Sequence, residues 1–242
     1  MENSKEKVLF VIPAYNEAEN IRRVLDEIKQ DVSFADVVVI NDGSKDDTAE
    51  IVRSCGIHCI DMVYNVGYAM AVQTGLKYAH QNHYDYVIQF DADGQHIASE
   101  AARLLQDAKD GNYDIVIGSR YLTDTGYPCP FFRRIGTKLF SGLIHLFCRK
   151  KITDPLSGFQ CLNQKTVALY AQKGEYPEFP DANLLISMIY KGYSIHEISV
   201  KMRLREAGES MHGGIIKPIK YMISMFYTIV LIVIKNVGGR SK

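Results

Sequence analysis

The feature that most constrains the fold is an alternation of short Val/Ile-rich runs with helix-length segments across the first half of the chain. The runs are VLFVIPAY, DVVVIND, HCIDMVYN, YDYVIQFDAD and YDIVIGSRY, with helical patterns such as ENIRRVLDEIKQ between them. Strands that are apolar throughout are typical of a parallel sheet with helices on both faces. We therefore predict an α/β protein with a mostly parallel, Rossmann-like sheet.

Composition limits the function further. The chain has 242 residues, of which 47% are hydrophobic, so one domain with a small appendage is expected. Lys+Arg and Asp+Glu both number 28, so no global field attracts nucleic acid, and we expect no nucleic-acid partner. The five cysteines form no CxxC pair and the first residues lack a secretion signal, which favours a reducing cytoplasm and ordinary buried thiols.

Polar residues follow each predicted strand. Because ligands of such sheets bind beyond the carboxyl ends of the strands, we expect these residues to share one edge. They are Pro13 to Glu17, Asn41 to Ser44, Asn65 to Gly67, Asp91 to Asp93 and Gly118 to Arg120.

Two common nucleotide sites are disfavoured by the motifs at this edge. A dinucleotide site requires a glycine-rich turn after the first strand, and PAYNEAEN contains no glycine. The P-loop pattern GxxxxGK[ST] is also absent from the sequence.

The stretch FDADGQH has two interpretations. Asp91 and Asp93 repel each other unless a strong positive partner is present, and Mg²⁺ or Mn²⁺ bound with phosphate would supply it. Alternatively, one Asp caps a helix and the other is solvated. Asp42 suits a ribose hydroxyl or a base N–H, and Tyr15 and Glu17 offer a stacking face and an acceptor. Together these residues indicate a nucleotide pocket without a P-loop.

The motifs PAYNE, NDGSKDDT, NVGYAMAVQTG, DADGQH, GSRY, DPLSGFQ and REAGES occur in this order between about Val8 and Ser210. In this order and spacing the chain resembles family 2 glycosyltransferases of the GT-A fold. The subgroup it is most similar to is the dolichyl- and polyprenyl-phosphate mannose and glucose synthases. We expect residues 1–212 to be the catalytic domain and 213–242 a C-terminal apolar segment with basic flanks.

The resemblance implies roles for individual residues. It assigns metal and diphosphate to Asp91, Asp93 and Gln95, with Mg²⁺ or Mn²⁺ as cofactor. It assigns phosphate contacts and catalysis to Arg120, Arg205 and Asp154, the last as a base or an acceptor-orienting carboxylate. Solvated surface ion pairs remain an alternative for the arginines, and a turn cap for Asp154. The remaining substrate-binding positions are Pro13, Tyr15, Glu17, Asp42, Gly67, Ala92, Arg134 and Ser210.

One departure concerns the acceptor. Several polyprenyl-phosphate synthases carry a lysine just after the glycine and serine of the last motif, where this chain reads Glu209 to His212. A saccharide acceptor therefore stays open, with His96 and His212 as further acceptor contacts.

The C-terminal segment is predicted to be helical. YMISMFYTIVLIVI, from Tyr221 to Ile234, is uncharged, shorter than the roughly twenty residues that span a bilayer, and flanked by lysines. It could lie in the membrane interface, assisted by the basic amphipathic stretch from Phe131 to Lys151, or pack in the core or in a homo-oligomer. We expect a peripheral enzyme on the cytoplasmic face of a membrane.

The leading hypothesis is an inverting, metal-dependent transfer of a hexose from a GDP- or UDP-sugar to a polyprenyl phosphate, inversion being implied by the resemblance alone. The first alternative is the same chemistry on a saccharide acceptor in surface polysaccharide assembly. The second is a non-catalytic protein that binds nucleotide sugars.

Overall fold

The computed structural model describes residues 6–124, 127–128, 131–204 and 216–238. Its strands are β1 (Val8–Ala14), β2 (Asp36–Asn41), β3 (His58–Asp61), β4 (Tyr86–Gln89), β5 (Ile115–Ser119), β6 (Gln160–Asn163) and β7 (Ile195–Ser199). Its helices are α1 (Ile21–Asp31), α2 (Thr48–Ser54), α3 (Tyr68–Gln81), α4 (Ala98–Asp110), α5 (Phe131–Cys148), α6 (Gln164–Tyr170), α7 (Ala182–Tyr190) and α8 (Ile216–Gly238).

The strands form one seven-stranded sheet in the order β3-β2-β1-β4-β6-β5-β7. Every pairing is parallel except those of β6, which runs antiparallel between β4 and β5. The predicted mostly parallel sheet is confirmed, although the sequence pattern did not reveal β6. Because β6 is reversed, its first residue, Gln160, pairs with both Gln89 and Ile117 near the ends of their strands. The loop before β6 therefore arrives at the same edge as the ends of β4 and β5.

Helices cover both faces of the sheet. One apolar core contains side chains of α1, α2 and α4, and the other contains side chains of α3, α5, α6, α7 and α8. Helix α1 shows why: Ile21, Val24, Leu25 and Ile28 recur at helical spacing and all are buried. A sheet buried on both sides holds its strand ends, and hence the residues that follow them, in fixed relative positions.

The C-terminal segment is helical, as predicted, and part of it packs against α7. Met225 and Ile229 of α8 are fully buried. The other side of α8 exposes large apolar side chains, namely Ile223, Phe226, Tyr227, Leu231 and Ile234. Among the described helices, none is both long enough and apolar enough to cross a membrane. The expected domain boundary at residue 212 lies outside the described residues.

Candidate active site

The loops that follow β1 and β2 are hydrogen-bonded into one unit. Asn16, with a positive φ of 53°, donates from its backbone N–H to Ser44 Oγ at 3.0 Å, and its Oδ1 accepts from the Lys45 N–H at 2.8 Å. The Glu17 N–H donates to Thr48 Oγ1 at 2.8 Å. These bonds fix the backbone around Tyr15, whose side chain is 41% exposed. Pro13, by contrast, is buried within β1.

Asp42 joins the end of β2 to the loop before α3. Its two carboxylate oxygens accept from the backbone N–H groups of Val66 at 2.8 Å and Gly67 at 2.9 Å. Gly43 has a φ of +67°, and a Cβ there would lie 2.7 Å from the backbone of Tyr64 and Asn65. Glycine is therefore required for the close approach of these two loops. The contacts of Asp42 in the structure are with backbone, and its predicted contact with a nucleoside stays a prediction.

The acidic turn after β4 is held from several directions. Tyr68, the first residue of α3, donates its hydroxyl to Asp91 Oδ1 at 3.0 Å. The Asp91 N–H donates to His96 Nδ1, also at 3.0 Å. Asp93 Oδ1 accepts from the Gln95 N–H at 3.0 Å, while Ala92 between the two aspartates is buried. The turn is thus preformed in the protein alone.

The electrostatics of this turn suit a cation. Burial raises the pKa of Asp91 above its ordinary value, and the neighbouring Asp93 raises it further. No group of three or more His, Cys, Asp or Glu side chains converges on a common point within the described part of the chain. Two carboxylates with an amide oxygen from Gln95 are hard donors, as Mg²⁺ or Mn²⁺ prefers, and such ions commonly complete their shell with substrate phosphate and water. The residues present therefore fit a divalent cation shared with a diphosphate.

A buried ion pair lies next to this turn, between the end of β5 and the loop before β6. Asp154 is fully buried, and its carboxylate accepts from Arg120 Nε at 2.7 Å, Arg120 Nη2 at 2.8 Å and the Arg120 N–H at 3.0 Å. Burial disfavours the Arg120 charge, but hydrogen bonding and attraction to Asp154 outweigh it, so the pKa of Arg120 is raised. Glu197 of β7 accepts from the Asp154 N–H at 2.8 Å and fixes this loop from the other side.

The other predicted arginine positions differ in their surroundings. Arg134 is exposed on α5 and lines a cleft that also contains Arg120. The cleft meets the acidic turn, because Gln95 donates its side-chain N–H to the Tyr127 hydroxyl at 3.1 Å and Tyr127 is a lining residue. The predicted positions Arg205, Ser210 and His212 lie outside the described residues.

For three residues at this edge, the structure shows a role that the sequence motifs do not predict. Tyr68 was not singled out, although it lies within the motif NVGYAM. His96 was considered as an acceptor contact, yet it is 3% exposed and stacks on Phe159 with ring centroids 4.5 Å apart. Burial lowers the pKa of His96. It therefore acts as a neutral ring that supports the acidic turn.

The third residue is Asp181, which directly precedes α7. Its Oδ2 accepts from the Tyr221 hydroxyl of α8 at 2.7 Å. Burial raises the pKa of Asp181 to about 6, while the Tyr221 hydrogen bond and the charge of Arg120 oppose the shift. In the sequence, only its position immediately before an apolar helix indicates that this carboxylate could be buried. This bond links the C-terminal helix to a carboxylate near the Arg120–Asp154 pair.

Comparison with known proteins decides the family. The family model for glycosyl transferase family 2 matches residues 9–155, which include the carboxyl ends of β1 to β5. The chain belongs to glycosyltransferase family 2.

Two relatives of this family 2 glycosyltransferase are named as enzymes that act on lipid phosphates. The chain is 26% identical to the polyprenol monophosphomannose synthase of Mycolicibacterium smegmatis, and the match covers 86% of this chain and 82% of that protein. It is also 26% identical to the UDP-N-acetylglucosamine–dolichyl-phosphate N-acetylglucosaminyltransferase of Methanococcus voltae, covering 69% and 73%.

A solved structure confirms the GT-A fold. The glucosyl-3-phosphoglycerate synthase of Mycobacterium tuberculosis, solved with Mn²⁺, UDP and glucosyl-3-phosphoglycerate, superposes with a TM-score of 0.68. The match covers 96% of this chain and 80% of that one at 17% sequence identity. At that identity the similarity establishes the fold.

Proposed function

We propose that this glycosyltransferase moves a hexose from a nucleotide sugar, a GDP- or UDP-sugar, to a polyprenyl phosphate with the help of Mg²⁺ or Mn²⁺. The observation that carries the proposal is the meeting of opposite charges at one edge of the sheet. The Asp91–Asp93 turn adjoins a cleft lined by Arg120 and Arg134. An acidic pair suits a metal-bound donor diphosphate, and a cationic cleft suits a phosphate acceptor.

In this proposal the donor occupies the β1 and β2 side of the edge. Tyr15 offers an exposed ring for the base, and the preformed loops around Glu17 and Asp42 surround the nucleoside. Gly67 lies in the loop that Asp42 orders, so it shapes the same pocket. Asp91, Asp93 and Gln95 would hold the cation. When bound, that cation neutralises negative charge on the departing diphosphate.

The contacts of Asp154 favour a phosphate acceptor over a sugar hydroxyl. A sugar hydroxyl needs a general base, whereas a phosphate is already an anion. Asp154 is fully buried and both of its oxygens are bonded to Arg120, so its role in this proposal is to position Arg120. An acceptor oxygen attacks the anomeric carbon as the bond from that carbon to the diphosphate breaks. Arg120 and Arg134 orient the donor diphosphate and the acceptor phosphate. The family resemblance assigns Arg205 and Ser210 to the same task.

The alternative of a saccharide acceptor rests on Asp181. This carboxyl lies near Arg120, and its pKa of about 6 would let it accept a proton at neutral pH. The two hypotheses about the acceptor therefore predict different effects of Asp181→Asn on transfer activity. Transfer to a hydroxyl would be lost, whereas transfer to a phosphate would persist.

We further propose that the enzyme works at the cytoplasmic surface of a membrane. The exposed apolar side chains of α8 and those of Ile135, Leu139 and Leu146 on α5 provide a surface for the lipid interface. Basic residues near both helices suit anionic headgroups. Self-association through α8 remains the competing prediction, and light scattering with and without lipid vesicles distinguishes them.

The test is transfer from radiolabelled nucleotide sugars to undecaprenyl phosphate or to a soluble oligosaccharide, in MnCl₂ or in EDTA. We expect label in the organic phase only with the lipid phosphate and the metal. Asp93→Asn should reduce transfer by at least about 100-fold, the scale on which a group stabilising developing charge acts.

Asp26→Asn is the matched control, because Asp26 is an exposed residue on α1. Label found only in water-soluble product would contradict the lipid acceptor. Full activity of Asp93→Asn in EDTA would contradict the metal role.

A further inference from the structure

A cleft of about 920 Å³ runs along α5, opposite the segment that follows β5. It begins at Arg120 and Arg134 and continues well beyond them. Arg134 and His145, which both line it, are eleven residues apart on α5, or about 16 Å along the helix. Its lining consists of Arg120 to Asp124, Tyr127, Arg134, Thr137, Lys138, Ser141, Gly142, His145, Lys151 and Thr153.

Helix α5 has three distinct faces. Its core face buries Phe140 and Ile144 completely. Its cleft face carries Arg134, Lys138 and His145, whose spacing of four and then seven residues places them on one side of the helix. Three exposed apolar side chains of α5 each directly follow a residue that lines the cleft, and we call them the α5 ridge: Ile135, Leu139 and Leu146. A cationic face therefore lies directly beside an apolar one.

The charges in the cleft are unbalanced. Arg134, Lys138, His145 and Lys151 are exposed, and within the described residues none of them forms an ion pair. Among the described residues that line the cleft, Asp124 is the only one with a carboxylate. A concave surface lined by one sign of charge concentrates ions of the opposite sign. The cleft thus favours an anion.

One wall of the cleft contains a buried hydroxyl. Thr137 is 5% exposed, and its Oγ1 has no hydrogen-bond partner among the described residues. Buried polar groups are nearly always hydrogen-bonded, since leaving one unsatisfied costs about 1–3 kcal/mol. Thr137 lies one residue before Lys138 and lines the same cleft. It is independent evidence that a polar ligand group enters here.

We propose that the part of the cleft beyond Arg134 binds the phosphate of an amphiphile, whose apolar chain lies over the α5 ridge. Lys138, His145 and Lys151 pair with the phosphate, and the Thr137 hydroxyl donates to it. This subsite is separate from the acceptor position at Arg120 and Arg134. It rests on the proposed function only because that function identifies this end of the cleft as the acceptor side. The ligand is either a second lipid phosphate monoester or a phospholipid headgroup.

The test is direct binding to the full chain, measured by calorimetry without donor or metal. The probes are dodecyl phosphate, short-chain phosphatidylglycerol and inorganic phosphate. We expect one of the two amphiphiles to bind at least about tenfold more tightly than inorganic phosphate, and the tighter one identifies the source. Equal binding of all three, or binding of none, overturns the proposal.

Variants locate the site. Lys138→Gln combined with Lys151→Gln should weaken amphiphile binding at least about tenfold, and Thr137→Val should weaken it severalfold. Lys29→Gln, on α1 at the opposite face of the sheet, is the matched control. Wild-type binding by the double variant would overturn the assignment to this cleft. Thermal melts of each variant separate loss of binding from loss of folding.

The binding assay and the transfer assay fail independently. If amphiphiles bind but polyprenyl phosphate accepts no sugar, the proposed function is wrong and the subsite stands. If transfer to the lipid occurs but no cleft variant changes amphiphile binding, the subsite is wrong and the function stands.

Discussion

The Arg120–Asp154 pair should dominate the stability of the active-site edge. Arg120→Met removes two of the three Arg120 donors to Asp154, those of Nε and Nη2, and leaves the backbone N–H. Asp154 is 0% exposed, so water cannot replace them. Removing one partner of a buried ion pair typically costs about 3–5 kcal/mol, since the other charge is left uncompensated. We expect a loss of that size in the free energy of unfolding.

The assay is urea denaturation followed by circular dichroism. The double variant Arg120→Met with Asp154→Leu should be more stable than Arg120→Met alone, because it removes the stranded carboxylate. Arg53→Met is the matched control: Arg53 pairs with Asp61, but both side chains are about half exposed, and we expect a cost below about 1 kcal/mol.

A loss of stability in Arg120→Met no larger than that in Arg53→Met would contradict this role of the buried pair. Simple addition of the effects of Arg120→Met and Asp154→Leu in the double variant would contradict it as well. Transfer activity should be absent from Arg120→Met and from the double variant alike, even where the double variant regains stability.

Two further predictions concern backbone strain and pH. Gly43→Ala should destabilise the protein more than Gly56→Ala. Both glycines have a positive φ, which costs alanine about 1–2 kcal/mol, but only at Gly43 would the added Cβ also meet neighbouring backbone. Equal free energies of unfolding for the two variants, measured by urea denaturation, would contradict this. Asp181 has a pKa of about 6, above the ordinary 3.8, so the native state loses stability as pH rises between these values. Asp181→Asn should therefore stabilise the protein at pH 7.5 relative to wild type but not at pH 3.5, measured by urea denaturation at both; equal differences at the two pH values would contradict it.

Much of the fold and part of the site could be predicted from the sequence. The apolar runs and helical patterns are local, so they indicated the parallel sheet with helices on both faces. The strand-end residues followed from the same pattern, because parallel strands end at a common edge. The pattern predicts Asp42, Asp91 and Arg120 at one edge of the sheet, and the directions of β2, β4 and β5 agree with this.

The sequence by itself determined the class of fold, the family motifs and the acidic turn, since each is a property of a short segment or of segments in fixed order. Tertiary structure alone decided which distant residues meet. Strand β6 has the sequence QCLN, without the Val and Ile that mark the other predicted strands, yet its antiparallel insertion brings Asp154 to Arg120, 34 residues away. Likewise, the packing of α8 joins Tyr221 to Asp181, and α5 lies where its basic face forms a cleft. Such contacts depend on which elements pack together, and local patterns of polarity do not specify that.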